Sequence, residues 1–132
     1  MDKMDREKRL QIVAGKQTLV LTHYGRSTGK PHQVTIWFLV QGEKIYLSTA
    51  NVQRQWVRNV QKTPGVKLSI GDVTFEGEAR FISDVPERKQ VLAMIYKKYW
   101  MYWPFTAFWR LLTRVGLARD NTGAFEVTLA PS

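Results

Sequence analysis

Six short segments with the composition of β-strands do most to limit what this chain can fold into. They are rich in β-branched and aromatic residues or alternate between apolar and polar side chains, and most connections between them are short. The segments cover residues 18–24, 33–40, 44–49, 66–70, 73–82 and 124–129. Helical patterns are confined to residues 5–13, to a stretch from Asn51 that must end before Pro64-Gly65, and to a stretch from Asp84 to Tyr102. Asp84 and Glu87 have the spacing of a capping box at the start of the last of these.

So few helices among so many strands do not suit alternating βαβ units. The pattern instead predicts a mainly β fold, a mostly antiparallel β-barrel with flanking helices. A length of 132 residues predicts a single domain spanning residues 1–132, which is large enough to bury a sizeable core.

Composition excludes several classes of site. The chain has no cysteine, so disulfides, thiol nucleophiles and thiolate metal sites are excluded. Its two histidines, His23 and His32, lie on different predicted elements, and we expect no metal pair from them. The first nine residues are a charged run without an apolar stretch behind it, and no segment is long and apolar enough to span a bilayer. We therefore expect a cytoplasmic protein.

The formal net charge of +9 is unevenly distributed. Residues 16–65 contain seven Lys or Arg side chains and one acid, Glu43. Such an excess predicts an anionic partner, which could be a phosphorylated or polycarboxylate cofactor, a nucleic acid or an acidic membrane. The alternative is a surface that lysine and arginine merely keep soluble.

The turn Gly25-Arg26-Ser27-Thr28-Gly29-Lys30-Pro31 places basic and hydroxyl side chains between two predicted strands. Its two glycines allow positive φ, so that successive N–H groups can converge on an anion. The turn is not a P-loop, because only three residues separate the glycines and Pro31 follows the lysine. ATP or GTP hydrolysis is therefore not supported. The alternative interpretation is an ordinary polar hairpin loop.

A second cluster lies at the start of the predicted middle helix, for which Asn51 is the expected N-cap. Arg54 would then fall in the first turn, where the helix dipole disfavours a cation, and this suggests a bound anion. The alternative is that Arg54 and Arg58, four residues apart, form a solvated stripe. Trp56 fits the core better than it fits a stacking platform for a ring.

These segments resemble the deazaflavin-dependent nitroreductase-like proteins, which belong to the flavin and deazaflavin oxidoreductases of split β-barrel fold. The resemblance rests on residues 21–32, on Ile36-Trp37-Phe38, and on Trp56-Val57-Arg58-Asn59-Val60 followed by Pro64-Gly65-Val66. It extends through residues 73–81 and covers about two-thirds of the chain. The pairing of a Gly-Arg-x-x-Gly-x-Pro turn with a Trp-x-x-Asn helix is more specific than either motif alone.

The resemblance implies a six-stranded antiparallel split β-barrel, often a homodimer, with coenzyme F420 or FMN in a groove. The implied cofactor-binding residues lie in the turn, the following strand, and the end of the third strand with the helix after it. They are Arg26, Ser27, Thr28, Lys30, His32, Val34, Thr35, Ile36, Trp37, Ser48, Thr49, Asn51, Arg54, Trp56, Arg58 and Asn59. A lysine common in the family near the position of Asn51 is missing, and Arg54 is the candidate replacement.

The implied activity is reduction of an apolar, electron-poor small molecule, such as a quinone, an enone or a nitro compound, by reduced F420. The cofactor carries the hydride chemistry, and Tyr24 is our candidate proton donor. Three alternatives stay open: an FMN-dependent oxidoreductase of the same fold, a non-catalytic flavin or deazaflavin binder, and a nucleic-acid binder. Against the last, the aromatic residues cluster instead of alternating with basic ones, and we expect no nucleic-acid partner.

Eight of the sixteen aromatic residues fall between residues 96 and 109, with basic residues around them. Three interpretations fit: a cap or dimer interface, a lid over the cofactor that shapes the substrate pocket, and a peripheral membrane contact through residues 96–112. A transmembrane helix is excluded, because the segment is too short and Pro104 interrupts it.

Overall fold

The computed structural model describes residues 3–99 and 122–130, which form three helices and seven strands. The helices are α1 (Lys3–Val13), α2 (Gln55–Lys62) and α3 (Val85–Lys98). The strands are β1 (Leu19–Tyr24), β2 (Pro31–Ile36), β3 (Phe38–Gln41), β4 (Lys44–Thr49), β5 (Gly65–Ile70), β6 (Val73–Phe81) and β7 (Gly123–Leu129). The strands form one sheet in the order β2-β1-β5-β6-β7-β4-β3. All described pairs are antiparallel, as predicted.

The chain joins the two edges of this sheet through a single residue. β2 and β3 are the outermost strands, yet only Trp37 separates them along the chain. The sheet must therefore curl until its edges meet at Trp37. The sequence predicted one continuous strand over residues 33–40 and six strands in all; the break at Trp37 makes the number seven.

The inner face of the curled sheet holds the main core. Leu21, Leu47, Leu68 and Phe125, from four different strands, are fully buried there. Helix α2 covers this core with Trp56, Val57 and Val60. Burying such side chains contributes roughly 1.5–3 kcal/mol each, so this packing fixes α2 against the sheet.

Helix α3 packs on the opposite face, where Ile82, Leu92 and Ile95 are buried together with Ala124 of β7. Its predicted cap is confirmed, because Asp84 Oδ2 accepts a hydrogen bond from the Glu87 N–H at 3.0 Å. The cap satisfies one of the donors that a helix start leaves free.

The end of α3 packs against Trp37 and the start of β3, where the two edges of the sheet meet. The Tyr99 hydroxyl contacts both the N–H and the carbonyl of Phe38 and donates to the carbonyl of Gln17. The Tyr99 ring stacks on Trp37, with 4.3 Å between ring centroids. Beside it, Lys98 Nζ donates to the Phe38 carbonyl at 2.9 Å, and burial lowers the pKa of Lys98 to about 8.

Two predicted helix boundaries are wrong. Helix α3 ends at Lys98, before the predicted Tyr102, because Tyr99 leaves helical geometry where it meets Trp37 and Phe38. Helix α2 begins at Gln55 with Arg54 as its N-cap. Asn51 is not the cap, because its Oδ1 accepts from the Gln53 N–H in a separate turn.

Among the described helices, none combines the length and the apolar character needed to cross a membrane. The aromatic segment from residue 100 onwards, and with it most of the predicted lid, interface or membrane contact, lies outside the described residues.

Candidate functional site

The two motifs that the sequence singled out meet in the folded chain. Arg26, in the turn between β1 and β2, reaches across to α2. Its Nη1 donates to Asn59 Oδ1 at 2.7 Å and to the Gln55 carbonyl at 3.4 Å, and its Nη2 donates to Gln55 Oε1 at 2.9 Å. These charge-assisted bonds tie the turn to the helix. Arg26 therefore has a structural role as well as its predicted position beside a ligand.

Asn59 also contacts β1, through His23. While its Oδ1 accepts from Arg26, its Nδ2 lies 3.0 Å from Nδ1 of the buried His23. A guanidinium can only donate hydrogen bonds, so the amide oxygen must face Arg26 and the amide nitrogen must face His23. His23 Nδ1 then acts as an acceptor, and the imidazole carries its proton on Nε2.

His23 also contacts the other histidine. His23 and His32 are directly opposed on β1 and β2, and their rings stack with 5.6 Å between centroids. Burial, followed by the repulsion from His32, lowers the pKa of His23 below its ordinary value. Both effects disfavour the charged imidazole, in agreement with the donor that Asn59 presents to it.

These residues line a cleft of about 510 Å³ between β1, β2 and the start of α2. Val34 and Trp56 supply apolar surface, and Trp56 is also part of the core, where it packs on Phe125. The polar lining consists of His23, His32, Gln33, Arg54, Gln55 and Asn59. Arg54 is exposed, whereas His23 and Asn59 are buried. The cleft is therefore cationic at its rim and offers uncharged polar groups at its buried end.

The turn between β1 and β2 is held by its own hydrogen bonds. The Gly25 N–H donates to the Lys30 carbonyl, the Gly29 N–H to the Gly25 carbonyl, and the Lys30 N–H to Thr28 Oγ1. Gly29 has the predicted positive φ of 70°, but Gly25 does not. Three N–H groups of the turn are therefore bonded within the turn itself. Fewer N–H groups than predicted can point towards an anion. The side chains of Ser27, Thr28 and Lys30 are exposed.

The structure brings five of the predicted cofactor-binding residues into the lining of one cleft, and Arg26 bonds to two lining residues, Gln55 and Asn59. The five are His32, Val34, Arg54, Trp56 and Asn59. Exposed Arg58 lies one helical turn beyond Arg54. Along β2, Thr35 lies on the opposite face from Val34, Ile36 packs on the core, and Trp37 stacks on Tyr99.

The remaining predicted residues lie elsewhere. Thr49 and Asn51 bond to each other in the turn after β4, and Ser48 precedes them on that strand. None of the three lines the cleft described here. Tyr24, the predicted proton donor, lies on the opposite face of β1 from His23 and lines a second cleft with Val66 and Leu129.

The sequence analysis missed His23 as a lining residue. A signal for His23 was present, because Leu19, Leu21 and His23 alternate along β1 and so share its buried face. A histidine at the end of an otherwise apolar face needs a polar partner. Among the described residues no group of three His, Asp or Glu side chains could hold a metal ion.

The comparison with protein families gives one match over most of the chain. The model of the F420H(2)-dependent quinone reductase family matches residues 3–106. None of the curated proteins matches this chain in sequence.

Solved structures support the fold. A conserved hypothetical protein, Rv2991 from Mycobacterium tuberculosis, has 18% identity and a TM-score of 0.71, over 99% of this chain and 82% of that one. An F420-H2 dependent reductase, FDR-A, has 17% identity and a TM-score of 0.62, over 83% and 92%. A candidate pyridoxamine 5′-phosphate oxidase of Listeria innocua has 16% identity and a TM-score of 0.64, over 96% and 94%. At these identities the likeness shows the fold alone, and the predicted split-barrel class is confirmed.

Proposed function

Because the chain belongs to the family of F420H(2)-dependent quinone reductases, we propose that it transfers a hydride from reduced coenzyme F420 to an apolar, electron-poor substrate. Family membership makes the chain an oxidoreductase. The identity of the cofactor in this chain and the substrate class, for which quinones, enones and nitro compounds are the candidates, are the proposed part.

One observation carries the proposal. The Gly-Arg-x-x-Gly-x-Pro turn and the Trp-x-x-Asn helix, which are far apart in the sequence, are joined by the bond from Arg26 to Asn59. The helix and the strand that follows the turn line a single cleft. Arg54, Gln55 and Gln33 place polar side chains around the open space of this cleft.

The cleft fits a planar cofactor with an anionic end. Its volume of about 510 Å³ lies within the range of roughly 300–1,000 Å³ that is usual for small-molecule sites. Val34 and Trp56 offer apolar surface to a ring, and the buried polar groups beside them can fix its orientation. Exposed Arg54 stands where a negatively charged tail would leave the cleft, and Arg58 follows it on the same helix face.

When bound, the coenzyme supplies the hydride, and the protein supplies position and shielding from water. Trp56, held against Phe125, and His23, held by Asn59, provide rigid walls. Tyr24 faces the second cleft, so we propose that water delivers the proton that the reduced substrate takes up. Homodimerisation and a membrane contact through residues 96–112 stay predictions from the sequence.

Parallel titrations of the purified protein with F420 and with FMN, followed by tryptophan fluorescence, test the cofactor. We expect submicromolar binding of F420 and weak binding of FMN, and then oxidation of reduced F420 by menadione or by a nitroaromatic compound. Tight binding of FMN without binding of F420 would instead indicate an FMN-dependent oxidoreductase. Binding of F420 without turnover on quinones, enones or nitro compounds would indicate a carrier.

A variant that fills the cleft tests the location. Val34→Trp adds a ring to the apolar wall on the edge strand β2, and we expect it to abolish F420 binding. Gln41→Trp adds the same ring to an exposed position of the other edge strand, β3, and serves as the matched control. Equal F420 affinity in the two variants would place the cofactor elsewhere.

A further inference from the structure

His23 is a buried polar side chain with one hydrogen bond to the described part of the chain. It is 5% exposed, its Nδ1 accepts from Asn59, and its ring lines the cleft. The nitrogen on the other side of the ring, Nε2, is then the atom with hydrogen-bonding capacity to spare. Because the ring lines the open cleft, this donor can meet a group that is bound there.

The neighbours of His23, Arg26 and Asn59, determine the protonation state of its ring. Arg26 can only donate, so the Asn59 amide cannot flip without facing the guanidinium with its own NH2 group. The amide therefore always presents a donor to His23 Nδ1, and only the tautomer with a proton on Nε2 can accept it. Arg26 and Asn59 together hold His23 as an uncharged donor of known orientation.

The surroundings indicate what this donor meets. Val34 and Trp56 lie beside it as apolar surface, whereas the exposed cation of the cleft, Arg54, lies at the rim. An anion would be placed better beside Arg54 than beside a neutral imidazole. A carbonyl oxygen at the inner edge of a planar ring suits a neutral donor next to apolar walls.

We infer that His23 is a specificity-determining residue whose Nε2–H donates a hydrogen bond to a carbonyl oxygen of the ring bound in the cleft. The inference deepens the proposed function and rests on it for the identity of the ring. That ring belongs either to the coenzyme or to a quinone substrate, since both carry ring carbonyls. Arg26 and Asn59 are positioning residues, because they act through His23.

The first experiment is nitrogen NMR of the ¹⁵N-labelled protein, in which only two histidines need to be assigned. Without ligand, we expect a bare nitrogen at Nδ1 of His23 and a protonated one at Nε2. Adding F420, FMN or menadione, each separately, should shift the Nε2 signal for the ligand whose carbonyl it meets. A proton found on Nδ1, or an Nε2 signal that none of the three probes moves, would overturn the inference.

The second experiment compares His23→Leu, which removes the donor, with His23→Gln, whose amide nitrogen restores one. We expect His23→Leu to weaken binding about tenfold, as for the loss of one buried hydrogen bond, and His23→Gln to recover most of it. Thr22→Val, on the opposite face of β1, is the matched control. A higher Kd for F420 assigns the carbonyl to the coenzyme, and a higher KM for menadione alone assigns it to the substrate.

The outcomes separate this inference from the proposed function. If F420 does not bind but menadione or FMN moves the Nε2 signal, the donor role stands and the choice of coenzyme fails. If F420 binds and reacts while folded His23→Leu matches the wild type in Kd and KM, the inference fails alone. Should His23→Leu not fold, the NMR measurements on the wild-type protein still decide.

Discussion

At the scale of single residues, the amide of Asn59 is bonded on both sides by groups of opposite character. Arg26 requires an acceptor and His23 Nδ1 requires a donor, and the Asn59 amide offers both. Aspartate has the same shape but no donor. The substitution Asn59→Asp therefore changes the direction of the hydrogen bond to His23 while keeping the shape of the side chain.

We predict that Asn59→Asp raises the pKa of His23. The carboxylate can still accept from Arg26, but it turns an acceptor towards Nδ1, so the imidazole must provide the proton itself. Attraction to the carboxylate acts in the same direction. The pKa can be read from the pH dependence of the two histidine ring signals, with Gln61→Glu on the exposed face of α2 as a control. An unchanged or lower pKa of His23 would contradict the assigned orientation of the amide.

The lowered pKa of His23 also predicts a loss of stability in mild acid. Because the unfolded chain binds this proton more tightly, the free energy of unfolding falls as the pH drops below about 6.5, the ordinary value for histidine. The fall from this group ends once the pH is below the pKa in the folded protein. Above about pH 6.5 the group does not change the free energy of unfolding with pH, since His23 is neutral in both the folded and the unfolded protein there.

Urea unfolding from pH 8 to pH 5 measures this effect, and His23→Gln, which cannot titrate, removes it. The comparison is needed because Glu126 also contributes at acid pH. Burial alone would raise the pKa of Glu126, but hydrogen bonds from Lys44 and Arg80 outweigh it and lower the pKa. If wild type and His23→Gln lose stability in parallel across this range, His23 does not titrate as described.

At the scale of elements, the contact between α3 and the start of β3 closes the sheet. We predict that Tyr99→Phe, which keeps the stack on Trp37 but removes the hydroxyl, destabilises the protein by about 1–3 kcal/mol, because buried Phe38 groups lose a partner. Tyr46→Phe is the control, since its hydroxyl makes only a 3.4 Å contact with Glu126, and we expect a change within about 0.5 kcal/mol. Equilibrium unfolding in urea measures both; equal losses would refute the closing role of Tyr99.

Most elements were predictable because each is specified locally. β-Branched and aromatic composition identified β1, alternation identified β7, and the spacing of Asp84 and Glu87 identified the start of α3. The break at Trp37 was not predictable, because side chains alternate in the same way on both sides of it. At the break, Trp37 stacks on Tyr99, 62 residues further along the chain, and no local pattern contains that contact.

The site was predictable in its residue types but not in its pairings. The turn, the strand after it and the helix were all selected, and five residues of this strand and the helix start share one cleft. Their connection was hidden, since Asn59 and His23 are 36 positions apart and Arg26 was interpreted as a ligand contact only. Propensity and charge describe what a residue can do, whereas its partner follows from tertiary packing.

At the scale of the whole molecule, the formal net charge of +9 leaves two explanations for attraction of an anionic cofactor. The general field of a basic protein raises the local concentration of any anion and weakens with salt. A cation at the rim of the cleft acts on the bound ligand directly. Arg54 is such a cation, whereas exposed Lys89 on α3 contributes only to the general field.

We predict that Arg54→Gln weakens F420 binding about tenfold at low salt, as expected for a lost charge-assisted contact of about 1.4 kcal/mol, whereas Lys89→Gln leaves it nearly unchanged. Both variants lower the net charge by one, so the comparison removes the general field. Titrations between 20 mM and 500 mM salt should show the gap between Arg54→Gln and wild type narrowing as screening increases. Equal losses in both variants would assign the attraction to the whole molecule. An unaltered Kd in Arg54→Gln would instead remove Arg54 from the cofactor site, and the charged end would have to leave the cleft by another route.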